Sequence, residues 1–187
     1  MKNRQHKQQI RIIGGTHRRR LVHFDEAEGL RPTPDRVREQ VFNWLGQRLN
    51  GQKVLDLFGG SGVMAFEAAS RGASQVDVVE LNRRTVQNMR SVIQELQLEQ
   101  VNVHLQDAKA YLQAASAVYD VIVLDPPYRW QEWDVLWDLL QTHCHKGSVL
   151  YIEAGQLPQL PQWLQWSKQD KAGQSHYGLA LVQDIDL

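Results

Sequence analysis

Residues 54–62 read VLDLFGGSG. A short apolar run ends in an acid, Asp56, and passes into three glycines within four residues. Glycines let a backbone approach a ligand closely, and the helix that follows presents unpaired N–H groups at its start. Working outward, the chain alternates between Val/Ile/Leu-rich runs and amphipathic segments. Strands are expected at 53–57, 75–79, 101–105, 118–124 and 148–153, with helices starting near Ser61, Asn82, Asp107 and Glu132. That alternation predicts an α/β fold with a doubly wound, Rossmann-like, mostly parallel sheet covered on both faces. After Ile152 the pattern changes to two extended runs joined by Ala172-Gly173-Gln174, which predicts an antiparallel C-terminal hairpin at the sheet edge.

Before the first of these strands, 10–24 reads as two short extended runs around Gly14-Gly15, a small β-hairpin arm. A helix is expected after it, with Thr33 as N-cap and Pro34 at its first position. The expected division is a basic arm over 1–30 and a larger α/β domain over 31–187. The whole chain has 187 residues and a net charge of zero, but the seven charged residues before Asp25 (Lys2, Arg4, Lys7, Arg11, Arg18, Arg19, Arg20) are all basic. A basic arm on a neutral domain is a footprint for a polyanion; a solvated, frayed terminus explains the charge equally well. One cysteine, Cys144, excludes an internal disulfide and fits a reducing compartment. The start of the chain lacks the apolar stretch of a signal peptide, and no run approaches the ~20 apolar residues of a membrane span. A cytoplasmic protein is expected. His143-Cys144-His145 has no second pair at ligand spacing, so no metal site is expected.

Three acids fall at the carboxyl ends of the expected strands, where open α/β sheets bind ligands: Asp56, Glu80 and Asp107. Gly60, Gly62 and Ala65 also satisfy a dinucleotide fingerprint, so a nicotinamide cofactor competes at this point. Pyrophosphate would avoid Asp56. An amino group at Asp56, ribose hydroxyls at Glu80 and an adenine amine at Asp107 describe S-adenosylmethionine instead. Phe58, Gly59, Gly60, Ser61 and Gly62 form the turn of that pocket, and Leu81 and Ala108 flank its outer acids. For Glu80 and Asp107 the simpler reading is capping of the helices that follow.

Downstream, residues 119–128 read YDVIVLDPPY. An aromatic exocyclic amine is a weak nucleophile because its lone pair is delocalised. Two acceptors on its hydrogens aim that lone pair, and Asp125 and the Pro126 carbonyl supply them. Proline has fixed φ and no N–H, so this backbone is rigid and offers only acceptors. Tyr128 offers a ring on which a base can stack. Asp125-Pro126-Pro127-Tyr128 resembles the fourth motif of class I S-adenosylmethionine-dependent methyltransferases acting on exocyclic amines. Together with Arg11-Ile12-Ile13-Gly14-Gly15, Leu30-Arg31-Pro32-Thr33, Asp35-Arg36-Val37-Arg38-Glu39, Phe42-Asn43-Trp44-Leu45 and the 56–62 turn, it makes nearly the whole chain resemble the RsmD-type guanine-N2 methyltransferases of bacterial small-subunit (16S) ribosomal RNA. The resemblance implies a target inside a small-subunit particle, gripped by Arg11, Arg18, Arg19, Arg20, Arg31, Arg36 and Arg38. The last three could equally orient the cofactor or pair on the helix surface with Asp35 and Glu39. Adenine-N6 methylation and a non-catalytic RNA-binding assembly factor remain the competing readings. Trp133, Leu136, Trp137 and Leu140 share one helix face.

Overall fold

The computed structural model describes residues 7–25 and 31–183. Lys2, Arg4, Leu30 and the expected boundary at residue 30 lie outside the described residues. The elements run β1 (Lys7–Arg11), β2 (Leu21–Asp25), α1 (Asp35–Trp44), β3 (Lys53–Asp56), α2 (Val63–Ser70), β4 (Gln75–Glu80), α3 (Arg83–Leu96), β5 (Val101–Leu105), α4 (Ala108–Ala114), β6 (Val121–Leu124), α5 (Trp133–Leu140), β7 (Val149–Ala154), β8 (Leu164–Ala172) and β9 (Ser175–Val182).

Seven strands form one sheet in the order β5-β4-β3-β6-β7-β9-β8. The five from β5 to β7 are parallel, and β9 inserts antiparallel between β7 and the edge strand β8. This is the predicted doubly wound sheet with its antiparallel C-terminal hairpin. The chain winds outward from β3 to β5, then returns to β3's other side as β6. The topological switch point therefore lies between the carboxyl ends of β3 and β6.

Strand periodicity divides the core. Val54, Val76, Val78, Val121 and Val123 face α1, α2 and α3, and Leu55, Leu57, Val79, Ile122 and Leu124 face α4 and α5. Leu136, Trp137 and Leu140 bury the expected α5 face, and Trp133 stacks on Trp137 at 5.2 Å between centroids. Among the expected strands, β6 starts late, at Val121. Tyr119 is instead buried with its N–H on His143 O, and only Asp120 N reaches back to Lys53 O. His143 lies with its two ring nitrogens against Ala117 O and Leu112 O.

β1 and β2 form the expected hairpin arm. It is tied down along the outer helices. Ile12 and Val22 are fully buried, and Asn88 of α3 donates to His23 O at 2.6 Å. Gly14-Gly15 is the docking point. Thr16 N donates to Ser70 O at 2.8 Å, and Ser70 Oγ donates to Gly14 O at 2.6 Å. A Cβ on Gly15, whose φ is +76°, would lie 1.9 Å from Ser70 O, so only glycine permits the approach.

The start of α1 departs from expectation. Pro34, not Thr33, is the N-cap, the helix begins at Asp35, and no side chain caps it. Thr33 is buried and its hydroxyl turns to Glu153 Oε2 at 3.3 Å. Arg38 is corrected more sharply. Its side chain is fully buried and donates to Glu67 Oε1 at 2.8 Å, Thr33 O at 3.0 Å, Arg11 O at 3.0 Å and Asp35 Oδ1. Glu67, fully buried on α2, also accepts Ile13 N–H and Arg71 Nε. A buried arginine with four acceptors cannot reach a polymer. Arg38 joins arm, α1 and α2, so its place in the sequence motif reflects architecture rather than RNA contact.

Candidate active site

Strand order, which no local pattern encodes, sets five carboxylates along the carboxyl edge of the sheet. In spatial sequence they are Asp107 after β5, Glu80 on β4, Asp56 on β3, Asp125 after β6 and Glu153 on β7. Neighbouring strands lie about 4.8 Å apart, so the row runs across four such steps.

The Gly-rich turn is built against this row. Gly60 N donates to Glu80 Oε2 at 2.9 Å and Gly59 N to Val79 O at 2.9 Å. Gly62, at φ +81°, is the N-cap of α2, and a Cβ there would press on the Phe66 ring at 2.8 Å. Asp56 is buried and accepts N–H groups of Phe58 and Ala65. Burial pushes its pKa up to about 7, the nearby Glu80 charge adds to the rise, and those N–H groups oppose it. A buried acid at this value is a natural partner for a ligand ammonium.

Asp107 caps α4, accepting Lys109 N and Ala110 N at 3.0 Å, but both bonds fall on Oδ1. Glu80 accepts one N–H on each oxygen, from Gly60 and Asn82, while Asn82 itself caps α3. A carboxylate has about four acceptor sites, so both acids keep capacity for a ligand. Leu81 is 70% exposed beside Glu80, an apolar surface next to an acid. Ala108 and Ser61 are buried and Phe58 is half-buried in the same region. The set of acceptors suits a cation carrying a hydroxylated sugar. It does not suit pyrophosphate, which would meet Asp56 and Asp125 together.

Asp125 sits one strand from Asp56. Burial holds its carboxyl well above the ordinary range, and the charges of Glu153 and Asp56 push in the same direction. Glu153 is a site residue that sequence reasoning missed. Its Oε1 accepts Ser175 Oγ at 2.7 Å, and its Oε2 accepts Tyr151 OH at 2.7 Å and the Thr33 hydroxyl. The available signal was an acid ending the fifth parallel strand, the same rule that picked out Asp56 and Glu80. Thr33 thereby ties the 31–33 segment to the catalytic edge.

Beyond Asp125, Pro126 is buried, and Pro127 O accepts Trp130 N–H at 2.8 Å, closing the turn. Tyr128 is 73% exposed, its ring resting on the backbone of Gly155, where a Cβ would lie 2.6 Å from Tyr128 Cε2. Gly155 O is in turn held by His176 Nδ1 at 2.8 Å. The 126–133 and 154–159 loops enclose a cleft of about 410 Å³, walled by Pro126, Tyr128, Trp130, Trp133, Gln156 and others. That volume admits a planar base with its sugar. Trp130 packs edge-on to Phe58 at 5.2 Å, and its indole N–H is buried without an acceptor among the described residues. Trp130 therefore bridges the Gly-rich turn and the cleft.

The basic residues are dispersed. Arg31 and Arg36 are exposed around the start of α1. Arg11, also exposed, pairs with Asp35 at 3.1 Å. Arg18, Arg19 and Arg20 lie in the arm's turn, away from the carboxylate row.

Known proteins share this architecture. The family described as "Conserved hypothetical protein 95" matches residues 10–181. Ribosomal RNA small subunit methyltransferase D of Escherichia coli strain K12 is 32% identical over 176 residues, covering 91% of this chain and 89% of that protein. The Haemophilus influenzae protein of the same name is 39% identical over 126 residues, 65% of each chain. Among solved structures, a putative methyltransferase (yhhF) from Escherichia coli superposes with a TM-score of 0.85 at 30% identity, covering 94% of this chain and 99% of that one. With fold, carboxylate row and sequence in agreement, the chain belongs to the RsmD family of methyltransferases.

Proposed function

We propose that the protein methylates small-subunit (16S) ribosomal RNA, using S-adenosylmethionine, at the exocyclic N2 of a guanine. The observation that carries this reading is the adjacency of Asp56 and Asp125 across the β3–β6 switch point, with the Tyr128 ring at the cleft mouth. Asp56, Glu80 and Asp107, with the 58–62 turn, Leu81 and Ala108, would hold the cofactor, which supplies an electrophilic methyl group when bound. Asp125 and the Pro126 carbonyl accept the two amine hydrogens and fix the lone pair's direction. Pro127 stiffens the backbone and Tyr128 stacks the base. Positioning and electrostatics supply the acceleration, with no covalent enzyme intermediate. The amine must lose a proton, and Asp125, made more basic by burial and by Glu153, is the nearest acceptor. A helix hides this amine, so the base must be unpaired or flipped out.

Family membership and the name of the relatives support a small-subunit ribosomal RNA substrate, and we infer from it a cytoplasmic enzyme that meets its RNA within a small-subunit particle. Among the described residues no helix is long and apolar enough to cross a membrane. Small-subunit particles lacking the modification, incubated with protein and labelled cofactor, should yield N2-methylguanine on nucleoside mass spectrometry. N6-methyladenine would favour the adenine reading, and no transfer to any ribosomal substrate would sink both. Asp125→Ala should abolish transfer while cofactor and RNA affinity survive, and unchanged turnover would refute the role given to Asp125; RNA binding by the unsubstituted protein with no transfer to any substrate would support the non-catalytic assembly factor.

A further inference from the structure

We propose that Asp125 carries a proton in the cofactor-free enzyme, gives it up when a cationic cofactor fills the neighbouring pocket, and regains it from the amine during transfer, with Glu153 as the positioning residue that sets this exchange. Resting on the S-adenosylmethionine reading, this fixes the point in the cycle at which the proton leaves the enzyme.

Strand register brings three carboxyl groups together. Asp56 pairs with Val123 across β3 and β6, and Val123 pairs with Tyr151 across β6 and β7. Side chains alternate with a period of two, so Asp125 and Glu153 issue from the same face as Asp56, on strands about 4.8 Å apart. The three are not partnered alike. Asp56 accepts the N–H groups of Phe58 and Ala65. Glu153 accepts Ser175 Oγ on Oε1, and Tyr151 OH and Thr33 Oγ1 on Oε2, so a hydroxyl faces each oxygen. Asp125 has no side-chain hydrogen bond among the described residues, and no lysine or arginine there pairs with any of the three.

A proton shared by this group has one natural place. On Glu153 it would sit on an oxygen that already faces a hydroxyl donor, whereas on Asp125 it displaces nothing. Asp125 lies between Asp56 from β3 and Glu153 from β7, with the Tyr151 phenol also on the β7 side. Burial and the charges of Glu153 and Asp56 all favour its neutral form. A neutral carboxylic acid presents an O–H donor where the amine needs an acceptor, so this form cannot grip both amine hydrogens. When the pocket holds S-adenosylmethionine, whose sulfur is positively charged, Asp125 loses its proton to solvent and becomes that acceptor. During transfer the N–C bond forms as the S–C bond breaks, the electron pair staying on sulfur, and the amine proton passes to Asp125. With the charge gone from sulfur, Asp125 is again a neutral acid beside Glu153. The cycle closes, and its net proton is released at cofactor binding rather than at transfer.

The test compares S-adenosylmethionine with S-adenosylhomocysteine, which differ only in the methyl group and the charge it leaves on sulfur. Calorimetric titration of the whole protein near neutral pH, in buffers of different ionisation heat, counts the protons released per ligand bound. Release from Asp56 is common to both ligands, since both carry the ammonium group. S-adenosylmethionine should release up to about one proton more than S-adenosylhomocysteine. Asp125→Asn, which cannot titrate, should bind both ligands with equal release. Glu153→Gln should shrink the difference while S-adenosylhomocysteine still binds, and an undiminished difference would remove Glu153 from its role. In a single turnover from cofactor-loaded enzyme, a pH-indicating dye should record no proton with methyl transfer. Equal release by the two ligands in the native protein, a difference that survives Asp125→Asn, or a proton appearing with transfer would overturn the proposal and leave the enzymatic reading standing. Failure to bind either ligand would overturn the cofactor reading and the proposal together.

Discussion

Removing Arg38 separates the two roles that its sequence motif allowed. Arg38→Ala deletes a buried guanidinium and four acceptor contacts, and it strips one of two cationic partners from Glu67, which is itself fully buried. Burial lowers the Arg38 pKa, and the charges of Glu67 and Asp35 oppose that shift. Breaking one side of a buried pair costs about 3–5 kcal/mol, because the remaining charge is left uncompensated. For a chain of this size each kcal/mol lowers the melting temperature by roughly 2–4 °C, giving a fall of roughly 6–20 °C. Thermal and urea unfolding followed by circular dichroism would measure it. Arg38→Met combined with Glu67→Gln should recover part of the loss, since no carboxylate is left buried without a cation, while Arg71 keeps Gln47 O as an acceptor. The reasoning fails if Arg38→Ala unfolds within about 1 kcal/mol of the native protein while losing RNA affinity. That result would mean the guanidinium reaches the polymer after all.

Three further outcomes follow from the catalytic edge. Asp56 binds its proton more tightly folded than unfolded, so its contribution to stability is greatest at low pH and declines as pH rises from about 4 to 7; the displacement from 3.8 to about 7 corresponds to about 4 kcal/mol. Asp56→Asn should remove that decline from urea midpoints measured across the range, and an unaltered slope would refute the assignment. Glu153→Gln takes away a like charge beside Asp125 and should move the acid limb of the rate profile to lower pH; a limb that stays put would mean Glu153 does not tune Asp125. Gly155→Ala places a methyl 2.6 Å from Tyr128 Cε2 and should raise KM for RNA with cofactor affinity intact, and it should add nothing in a Tyr128→Ala background; an additive loss there would sink the idea that Gly155 acts by seating the ring.

Much of the fold was legible because its causes are local. Val/Ile/Leu-rich runs separated by helical segments produced the parallel sheet, and the loss of helices after Ile152 marked the antiparallel hairpin. Asp56, the glycines and Asp125-Pro126-Pro127-Tyr128 declared themselves because turn geometry and acceptor chemistry require particular residues at adjacent positions. Family membership was equally plain from contiguous motifs. What each motif residue does was not plain, because spacing along a chain carries no information on burial. Arg18 and Arg38 look alike in sequence, yet one lies exposed at the amino edge and the other is sealed between Glu67 and the arm.

Strand order was the other missing quantity. Nothing local in residues 121–124 says that β6 lies beside β3 rather than β5, yet that pairing alone sets Asp125 next to Asp56 and Glu153 next to Asp125. The sequence by itself determined the element types, the chemistry of the nitrogen motif and the family. Tertiary structure decided which charges meet, which arginines face solvent, and that the arm's basic turn and the catalytic cleft look out from opposite edges of the sheet. The physical reason is that pairing and desolvation depend on distances across the fold, and those exist only after residues far apart in the chain have packed together.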